Sequence, residues 1–348
     1  MKTEVITIKN TDNPAEMEPL DQAARILKNG GLVVFPTETV YGLGGNGLDP
    51  EASKKIYAAK GRPSDNPLIL HVSSPEEAEN YAFTNDTYYR LAKAFMPGPL
   101  TVILPKKDNV PLETTGGLPT VAIRCPSHPI AHEMIRRSGV PVAAPSANLS
   151  GKPSPTRAEH VIHDLMGKVD MIIDGGECDI GLESTIVKVD GTKLTLLRPG
   201  GVTYDALCCV SDSVEISPAV TEELKKNERP LSPGLKYKHY APSSPVVLLT
   251  GEESKILSFL QKKQETERCL ILCYEEEFPL LNKDKVYNIG KSRDLDTQAH
   301  LLFSALRNAD LRDDIDIVYA HLPTKEGLGL ALYNRLIRAA AHTILTIE

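Results

Sequence analysis

Two cations and an amide stand close together in one proline-bracketed segment of the sequence. Lys60 and Arg62 flank a glycine, and Asn66 lies between Pro63 and Pro67. Lysine and arginine screen negative charge, and one arginine can hold two oxygen atoms at once. The segment therefore indicates an anion site suited to a triphosphate. A solvated loop between a helix and a strand is the alternative interpretation.

Small polar residues recur where predicted strands begin or end. Ser146 and Asn148 follow a predicted strand at 140–144, residues 183–185 open another strand, and residues 198–201 close one. Ligands of open α/β sheets usually bind at the carboxyl ends of strands. Each of these groups also fits an ordinary turn, but their repeated position at strand ends favours one shared site.

Other familiar signatures are missing or misplaced in this sequence. Residues 42–47, GLGGNG, match GxGxxG, but six residues separate them from the preceding strand and the next helix begins only after Asp49. A dinucleotide fingerprint needs strand, glycines and helix in direct succession, so we predict a structural glycine-rich turn. No GxxxxGK[ST] occurs, and the nine histidines lack metal-ligand spacing, so no protein-ligated metal is predicted.

The elements that must position these residues alternate between strands and helices, which predicts an α/β fold. A hairpin around residues 190–191 makes the predicted sheet a twisted, open and mixed one, followed by a second, smaller α/β domain. The predicted domains are residues 1–210, an interdomain linker at 211–244, and residues 245–348. Predicted helices include 20–28, 50–60 with Asp49 as N-cap, 88–95 and 331–343, and predicted strands include 32–35, 68–72, 121–124 and 269–273.

The composition argues against several classes of protein, including nucleic-acid-coating and membrane-spanning ones. The chain has 348 residues, 41% of them hydrophobic, and a net charge of −7, which argues against a general nucleic-acid-coating protein. No apolar run is long enough for a membrane span, and the first residues lack the apolar run of a signal peptide. The six cysteines form no CxxC pair, so we expect reduced thiols and a cytoplasmic location, without membrane contact.

Several longer motifs, taken together, resemble one family. The chain contains PTETVYGLG, KGRPSDNPLILH, PGPLT, VAIRCPSHP, APSANLSG, ESTIV, LRPG and SPGLKYKHYAP. In order and spacing they are similar to the threonylcarbamoyl-AMP synthases, the YrdC-like family, over about residues 15–205. The linker motif resembles that of the longer, two-domain members.

The resemblance implies a YrdC-like fold with a large, partly basic cavity. It implies a nucleotidyltransferase that joins L-threonine, bicarbonate and ATP into threonylcarbamoyl-AMP and releases pyrophosphate, with Mg²⁺ accompanying ATP. A transient partner, the tRNA threonylcarbamoyl transferase machinery, would then modify the adenosine next to the anticodon of certain tRNAs.

The resemblance also carries individual residues over to this chain. The implied threonine pocket contains Thr37, His71, Arg124, Ala144 and Ser184. The implied ATP contacts are Arg62, Asn66, Thr120, Ser146, Ser154, Arg198 and Tyr240. The residues implied to be required for activity are Lys60, Arg62, Ser146 and Asn148. Arg124 suits a carboxylate because it is a forked donor, whereas His71 is expected to form hydrogen bonds rather than act as a base.

The linker motif has an unusual composition for a spacer. Two tyrosines, a histidine and two lysines fall within SPGLKYKHYAP, whereas ordinary linkers are Gly/Ser-rich or charged. We predict that this segment closes over the first domain as a lid that excludes water from the activated product. Simple docking of the two domains is the alternative.

Two other functions are alternatives to the synthase activity that the motifs imply. The first is an RNA-binding module that uses the same basic cavity, against which the acidic net charge argues. The second is an oxidoreductase built on GLGGNG, against which the placement of the following helix argues.

Overall fold

The computed structural model describes residues 2–222 and 240–348, which form two compact units. The first unit takes the described residues up to 222, except that residues 151–153 and 180–182 belong with residues 240–348 to the second unit. Residues 223–239, which include most of SPGLKYKHYAP, lie outside the described residues. The domain boundaries after 210 and before 245 therefore stay predictions, as does the lid.

Within the described residues, the first unit is built on an eleven-stranded sheet. In chain order its strands are β1 (Glu4–Thr7), β2 (Val33–Phe35), β3 (Gly42–Asn46), β4 (Ile69–His71), β5 (Leu100–Pro105), β6 (Thr120–Arg124), β7 (Val142–Ala144), β8 (Met171–Asp174), β9 (Thr185–Asp190), β10 (Lys193–Arg198) and β11 (Val214–Ile216). Their spatial order is β1-β8-β2-β3-β7-β4-β6-β5-β9-β10-β11. Strands β4 and β6 run parallel, whereas β5 is antiparallel to β6, so the predicted mixed sheet is confirmed.

The helices of this unit are α1 (Pro14–Met17), α2 (Pro19–Lys28), α3 (Pro50–Lys60), α4 (Asp86–Phe95), α5 (Pro129–Ser138), α6 (Ala158–Leu165) and α7 (Tyr204–Cys208), with 3₁₀ turns at Pro75–Asn80 and Pro218–Val220. Residues of α2 and α5, including Leu20, Leu27 and Met134, pack on the β2, β7 and β8 part of one sheet face. Helix α3 packs over Gly45 on the opposite face. A smaller apolar cluster is contributed by β4, β6, β5, β9 and β10 and consists of Ile69, Ile103, Ala122, Ile186 and Leu197.

Helix α3 delivers Lys60 to the site, and the sequence signals for its ends are confirmed. The Asp49 carboxylate accepts the Glu51 amide at 2.9 Å, and Pro50 occupies the first helical position. Gly61 ends the helix with φ 60°, a left-handed conformation that glycine adopts without steric cost. The helix therefore ends at Lys60, and the proline-bracketed loop begins directly after it.

The glycine-rich segment is a strand, so the predicted turn was wrong. Strand β3 pairs antiparallel with β2 and with β7. A Cβ on Gly44 would lie 2.8 Å from the Phe35 ring and 2.7 Å from the Val142 side chain. Glycine is tolerated within this strand because neighbouring side chains fill the space above it.

The second unit contains a five-stranded sheet in the described part of the chain, and all of its strand pairs are parallel. Its strands are β12 (Val246–Gly251), β13 (Cys269–Cys273), β14 (Val286–Asn288), β15 (Ile317–His321) and β16 (Ile344–Ile347), in the spatial order β14-β13-β15-β12-β16. Its helices are α8 (Glu253–Thr266), α9 (Leu295–Asp310) and α10 (Gly329–Ala339), with 3₁₀ turns at Phe278–Leu280 and Lys283–Lys285. The predicted second α/β unit is confirmed.

The predicted helix at 331–343 was too long. Helix α10 ends at Ala339, and residues 344–347 form β16. Ala341 and His342 adopt φ values of 45° and 60°, which no helix can continue through. No helix in the described ranges is long and apolar enough to cross a membrane.

Candidate active site

The register of three neighbouring strands places His71, Thr120 and Arg124, three of the predicted site residues, on one sheet face. His71 of β4 is paired with Arg124 of β6, and Thr101 of β5 is paired with Arg124 from the other side. Directly paired residues share a face, as do residues two apart along a strand. Thr120, Ala122 and Arg124 therefore project from the same face, with the apolar cluster around Ala122 between the two polar ends.

The separation along β6 gives this face two ends. Thr120 and Arg124 are four residues apart, which is about 13 Å at the usual rise of a strand. Ala144 of β7 is paired with Ile69 and is buried. This face of the sheet is thus apolar in its middle part, with the guanidinium of Arg124 at one end and the hydroxyl of Thr120 at the other.

The Arg124 end contains a buried ion pair that the sequence analysis did not predict. Arg124 Nη2 lies 2.7 Å from Glu38 Oε1, and the two side chains are only 5% and 6% exposed. Arg124 Nη2 also lies 3.5 Å from Thr37 Oγ1, which donates to the Val40 carbonyl at 2.6 Å. Arg124 Nε and Glu38 Oε2 have no hydrogen-bond partner among the described residues.

His71 stays neutral at this end of the face. Burial, reinforced by the positive charge of Arg124, lowers the pKa of His71 to about 3. Its Nδ1 lies 3.1 Å from the Ile69 carbonyl and 3.3 Å from the Val142 carbonyl. Because carbonyls only accept, the proton of the neutral ring resides on Nδ1, and Nε2 is left as an acceptor. The ring is therefore suited to accept a hydrogen bond and is a weak base.

Ser184 and Arg198, which the sequence analysis assigned to different substrates, are in direct contact. Arg198 Nε donates to the Ser184 carbonyl at 3.0 Å and its Nη2 donates to the Ser184 hydroxyl at 3.1 Å. That hydroxyl also lies 2.8 Å from the hydroxyl of Thr101. A Cβ on Gly200 would lie 2.5 Å from the Glu183 carbonyl oxygen. Because the backbone at Gly200 passes so close to residues 183–185, only glycine fits there, and this close approach brings the LRPG segment with Arg198 to the start of β9.

Lys60 organises the loop that follows β7. Its buried ammonium donates to the carbonyls of Ser146 and Asn148. The Ser146 hydroxyl donates to Asn148 Oδ1 at 2.5 Å, and the Ser150 amide donates to the Lys60 carbonyl at 2.9 Å. The structure therefore brings Lys60 of KGR together with Ser146 and Asn148 of PSAN.

Arg62 and Asn66 shape the neighbouring loop. Arg62 Nε donates to the Asn66 carbonyl and its Nη2 donates to the Pro67 carbonyl, both at 3.1 Å. Asn66 is buried, and its Oδ1 has no hydrogen-bond partner among the described residues. A buried acceptor without a partner is costly in a protein interior, so this oxygen is a candidate ligand contact.

The remaining predicted residues are placed as follows. Ser154 is buried and donates to Glu183 Oε1. Tyr240 belongs to the second unit, where its ring centroid lies 5.4 Å from that of Phe303. The roles assigned to all of these residues stay predictions.

Two side chains of the site, Glu38 and Thr101, were missed, and Glu183 was singled out only as part of the polar group at 183–185. Each lies inside a quoted motif, PTETVYGLG, PGPLT or ESTIV, but motif membership alone does not reveal which side chain turns inward. Outside residues 1 and 223–239, no group of three or more His, Cys, Asp or Glu side chains is arranged to hold a metal ion.

The fold and the site together define the Sua5/YciO/YrdC class of α/β proteins. A family model of this class, described as "Telomere recombination", matches residues 25–200, and a second one, described as "Threonylcarbamoyl-AMP synthase, C-terminal domain", matches residues 202–341. The chain belongs to the threonylcarbamoyl-AMP synthase family, as its motifs predicted, and it is an ATP-using enzyme of the transferase type.

Individual relatives match along nearly the whole chain. The threonylcarbamoyl-AMP synthase of Bacillus subtilis is 43% identical over 349 residues, covering 99% of this chain and all of the relative. That of Pyrococcus abyssi is 44% identical over 334 residues, covering 93% of this chain and 95% of the relative. A crystal structure of P. abyssi Sua5 complexed with L-threonine superposes with a TM-score of 0.90 at 41% identity and covers 99% of both chains.

Proposed function

We propose that this chain joins L-threonine, bicarbonate and ATP into threonylcarbamoyl-AMP and releases pyrophosphate. The observation that carries the proposal is the single face of the sheet on which Arg124 and Thr120 lie at opposite ends of β6. An amino acid needs a cation that binds its carboxylate, and a nucleotide needs a polar pocket. The two sites must lie close enough for the two substrates to react.

Threonine binds at the Arg124 end. Its carboxylate takes the place on the guanidinium that Glu38 Oε1 occupies at 2.7 Å, and the unpartnered Arg124 Nε supplies a second donor. His71 Nε2 accepts a hydrogen bond from the substrate. Thr37, Ala144 and Ser184 complete the pocket.

ATP binds toward the Thr120 end and over the two loops that Arg62 and Lys60 shape. Asn66 Oδ1 accepts a hydrogen bond from the nucleotide, which satisfies a buried acceptor that has no partner among the described residues. Ser146 and Ser154 offer hydroxyls, and Mg²⁺ enters with ATP as the counter-ion of its phosphates. The predicted contact of Tyr240 remains part of this proposal.

The chemistry takes place between the two ends. The amine of threonine and bicarbonate form a carbamate with loss of water, and a carbamate oxygen then attacks the α-phosphorus of ATP. The new oxygen–phosphorus bond forms as the bond to pyrophosphate breaks. Both reactants are anions, so the protein contributes charge screening and alignment rather than a nucleophile. We assign this charge screening to Arg198, which contacts Ser184, and Lys60 holds the loop of Ser146 and Asn148.

The product then passes to the machinery that transfers the threonylcarbamoyl group to tRNA. A carbamoyl-adenylate is readily hydrolysed, so we expect a transient contact with that machinery in the cytoplasm. Direct binding of RNA by this chain is not required for the reaction.

The test is a pyrophosphate-release assay on the full chain. Release should require ATP, threonine and bicarbonate together, and Arg124→Gln should raise the KM for threonine by at least about 100-fold, the cost of losing a charged clamp. Arg136→Gln provides the matched control, because Arg136 lies on an exposed helix face paired with Glu133. Release without threonine would contradict the proposal. Tight RNA binding without turnover would support the rival RNA-binding module.

A further inference from the structure

The second unit has a pocket of its own at the carboxyl ends of its parallel strands. The pocket encloses about 260 Å³. Tyr274 and Glu277 follow the end of β13, His321 is the last residue of β15, and Glu253 and Ser254 follow β12. The lining residues all belong to one unit.

The topology marks this pocket as the position where open α/β sheets bind ligands. In the order β14-β13-β15-β12-β16, the chain leaves β13 toward β14 at one edge and leaves β15 toward β16 at the other. Between two such strands the crossover connections diverge and leave a crevice, which is the usual ligand site of such folds. Tyr274, Glu277 and His321 lie in this crevice.

A buried histidine in this pocket uses only one of its two ring nitrogens in a hydrogen bond with the described residues of the protein. His321 is 8% exposed, and its Nε2 lies 3.0 Å from both carboxylate oxygens of Glu277. Because a carboxylate accepts, Nε2 carries the proton, and the lone pair of the neutral tautomer resides on Nδ1. Nδ1 has no hydrogen-bond partner in the described part of the chain. A ligand for this pocket should therefore donate a hydrogen bond.

The negative charge of the residues that line the pocket favours a cationic ligand. Glu253, Glu276 and Glu277 line the pocket, and the described residues that line it include no lysine or arginine. The N-terminus of α8 offsets these carboxylates by only about half a positive charge. Burial, together with the charges of these glutamates, raises the pKa of Tyr274 to about 12. An anionic nucleotide, the usual occupant of such a crevice, is thus disfavoured.

The pocket also offers apolar and aromatic surface. Leu257 and Leu280 line it, and the Leu280 side chain is 53% exposed at its rim. The Tyr274 ring stacks on the His321 ring, with centroids 4.5 Å apart and planes 25° apart. An inorganic cation would leave this surface unused. We propose that the pocket binds a primary ammonium group carried on a short apolar stem, with the ammonium donating to His321 Nδ1.

The first experiment uses butylammonium as the probe and the full chain. Titration is followed by calorimetry and by the ¹⁵N shifts of the histidine rings. We expect saturable binding with a dissociation constant near 1 mM, within the limit for about five heavy atoms, and a shift at His321. Butyrate and butanol, which have the same length, should bind at least about tenfold more weakly. Equal binding of butyrate, or no binding of butylammonium, would overturn the proposal.

The second experiment tests the location with surface variants, because substitution of the buried His321–Glu277 pair could unfold the unit. Leu280→Lys places a cation at the rim and should weaken butylammonium binding at least about fivefold, whereas Glu276→Gln should weaken it about threefold. Leu311→Lys is the matched control, since Leu311 is an exposed leucine of the same unit that does not line the pocket. An unchanged dissociation constant in Leu280→Lys would place the probe elsewhere and refute the assignment.

Discussion

Arg124 and Glu38 form an ion pair at 2.7 Å inside the first unit, and both side chains are almost fully buried. The residue proposed to hold the carboxylate of the substrate therefore already holds a carboxylate of the protein. Because a buried charge without a partner is costly, Glu38 stabilises Arg124 in the substrate-free protein. The same contact means that threonine must compete with Glu38 for the guanidinium.

The first prediction follows from this competition. Glu38→Gln should lower the KM for threonine by about three- to tenfold, because the amide is a weaker partner for Arg124 than a carboxylate. It should also lower the free energy of unfolding by about 3 kcal/mol in the absence of threonine, and added threonine should restore part of that loss. Steady-state kinetics and urea unfolding measure the two effects. Glu133→Gln, which alters an exposed ion pair, is the control, and a rise in KM would instead mean that Glu38 binds the substrate directly.

The second prediction concerns the loop of KGRPSDNP. Arg62→Ala should reduce kcat/KM for ATP by roughly 10²–10³, the usual effect of removing one preorganised charge. Two backbone carbonyls, those of Asn66 and Pro67, also lose their donor, so the free energy of unfolding should fall by about 1–3 kcal/mol. Pyrophosphate release at varied ATP measures the first effect. A folded variant with activity within a few-fold of the unmodified chain would remove Arg62 from the ATP site, and Arg136→Ala is the matched control.

The third prediction distinguishes the carboxylate clamp from the apolar pocket. Serine should support turnover with a loss equivalent to about 1–3 kcal/mol, which is the contribution of one methyl group. Threonine amide should be a far poorer substrate, because it cannot pair with Arg124. Comparison of kcat/KM for the three compounds measures both effects. Equal turnover of threonine and its amide would show that Arg124 is not the clamp.

The fourth prediction is a pH dependence of stability. Burial lowers the pKa of His71 from 6.5 to about 3, so between these values the unfolded chain binds a proton that the folded chain does not. The contribution of His71 is fully present above pH 6.5 and falls by about 1.4 kcal/mol per pH unit as the pH drops toward 3. Urea unfolding at several pH values should show a shallower slope for His71→Asn. Identical slopes for the His71 variant and the unmodified chain would refute the prediction.

The fifth prediction concerns Tyr240 and the lid. Tyr240→Phe keeps the packing against Phe303 and removes only the hydroxyl, whereas Tyr240→Ala removes both. If the hydroxyl contacts ATP, Tyr240→Phe should raise the KM for ATP about five- to tenfold. A chain cut after residue 230 should bind ATP more weakly and lose more product to hydrolysis. Full coupled activity of the truncated chain would leave residues 231–244 as a tether only.

Sequence alone was enough to predict the α/β class, most strands and helices, and the short motifs that belong to the site. These features depend on local chemistry, such as Asp49 and Pro50 at the start of α3 and Gly61 at its end. The position of polar groups at strand ends also followed from the sequence, because alternating elements imply a sheet whose strand ends lie together. The family motifs then assigned a reaction to those groups.

Only the tertiary structure decided which of those groups touch. Glu38 and Arg124 are 86 residues apart in the chain, and nothing local indicates that they pair. The contacts of Lys60 with Ser146 and Asn148, and of Arg198 with Ser184, likewise depend on the order and register of the strands. Strand β3 was read as a turn because glycine favours turns in isolation, whereas the Phe35 ring packs closely over Gly42 and Gly44 and makes glycine suitable for a strand there. Local preference is worth about 1 kcal/mol per residue, and close packing against neighbouring strands outweighs it.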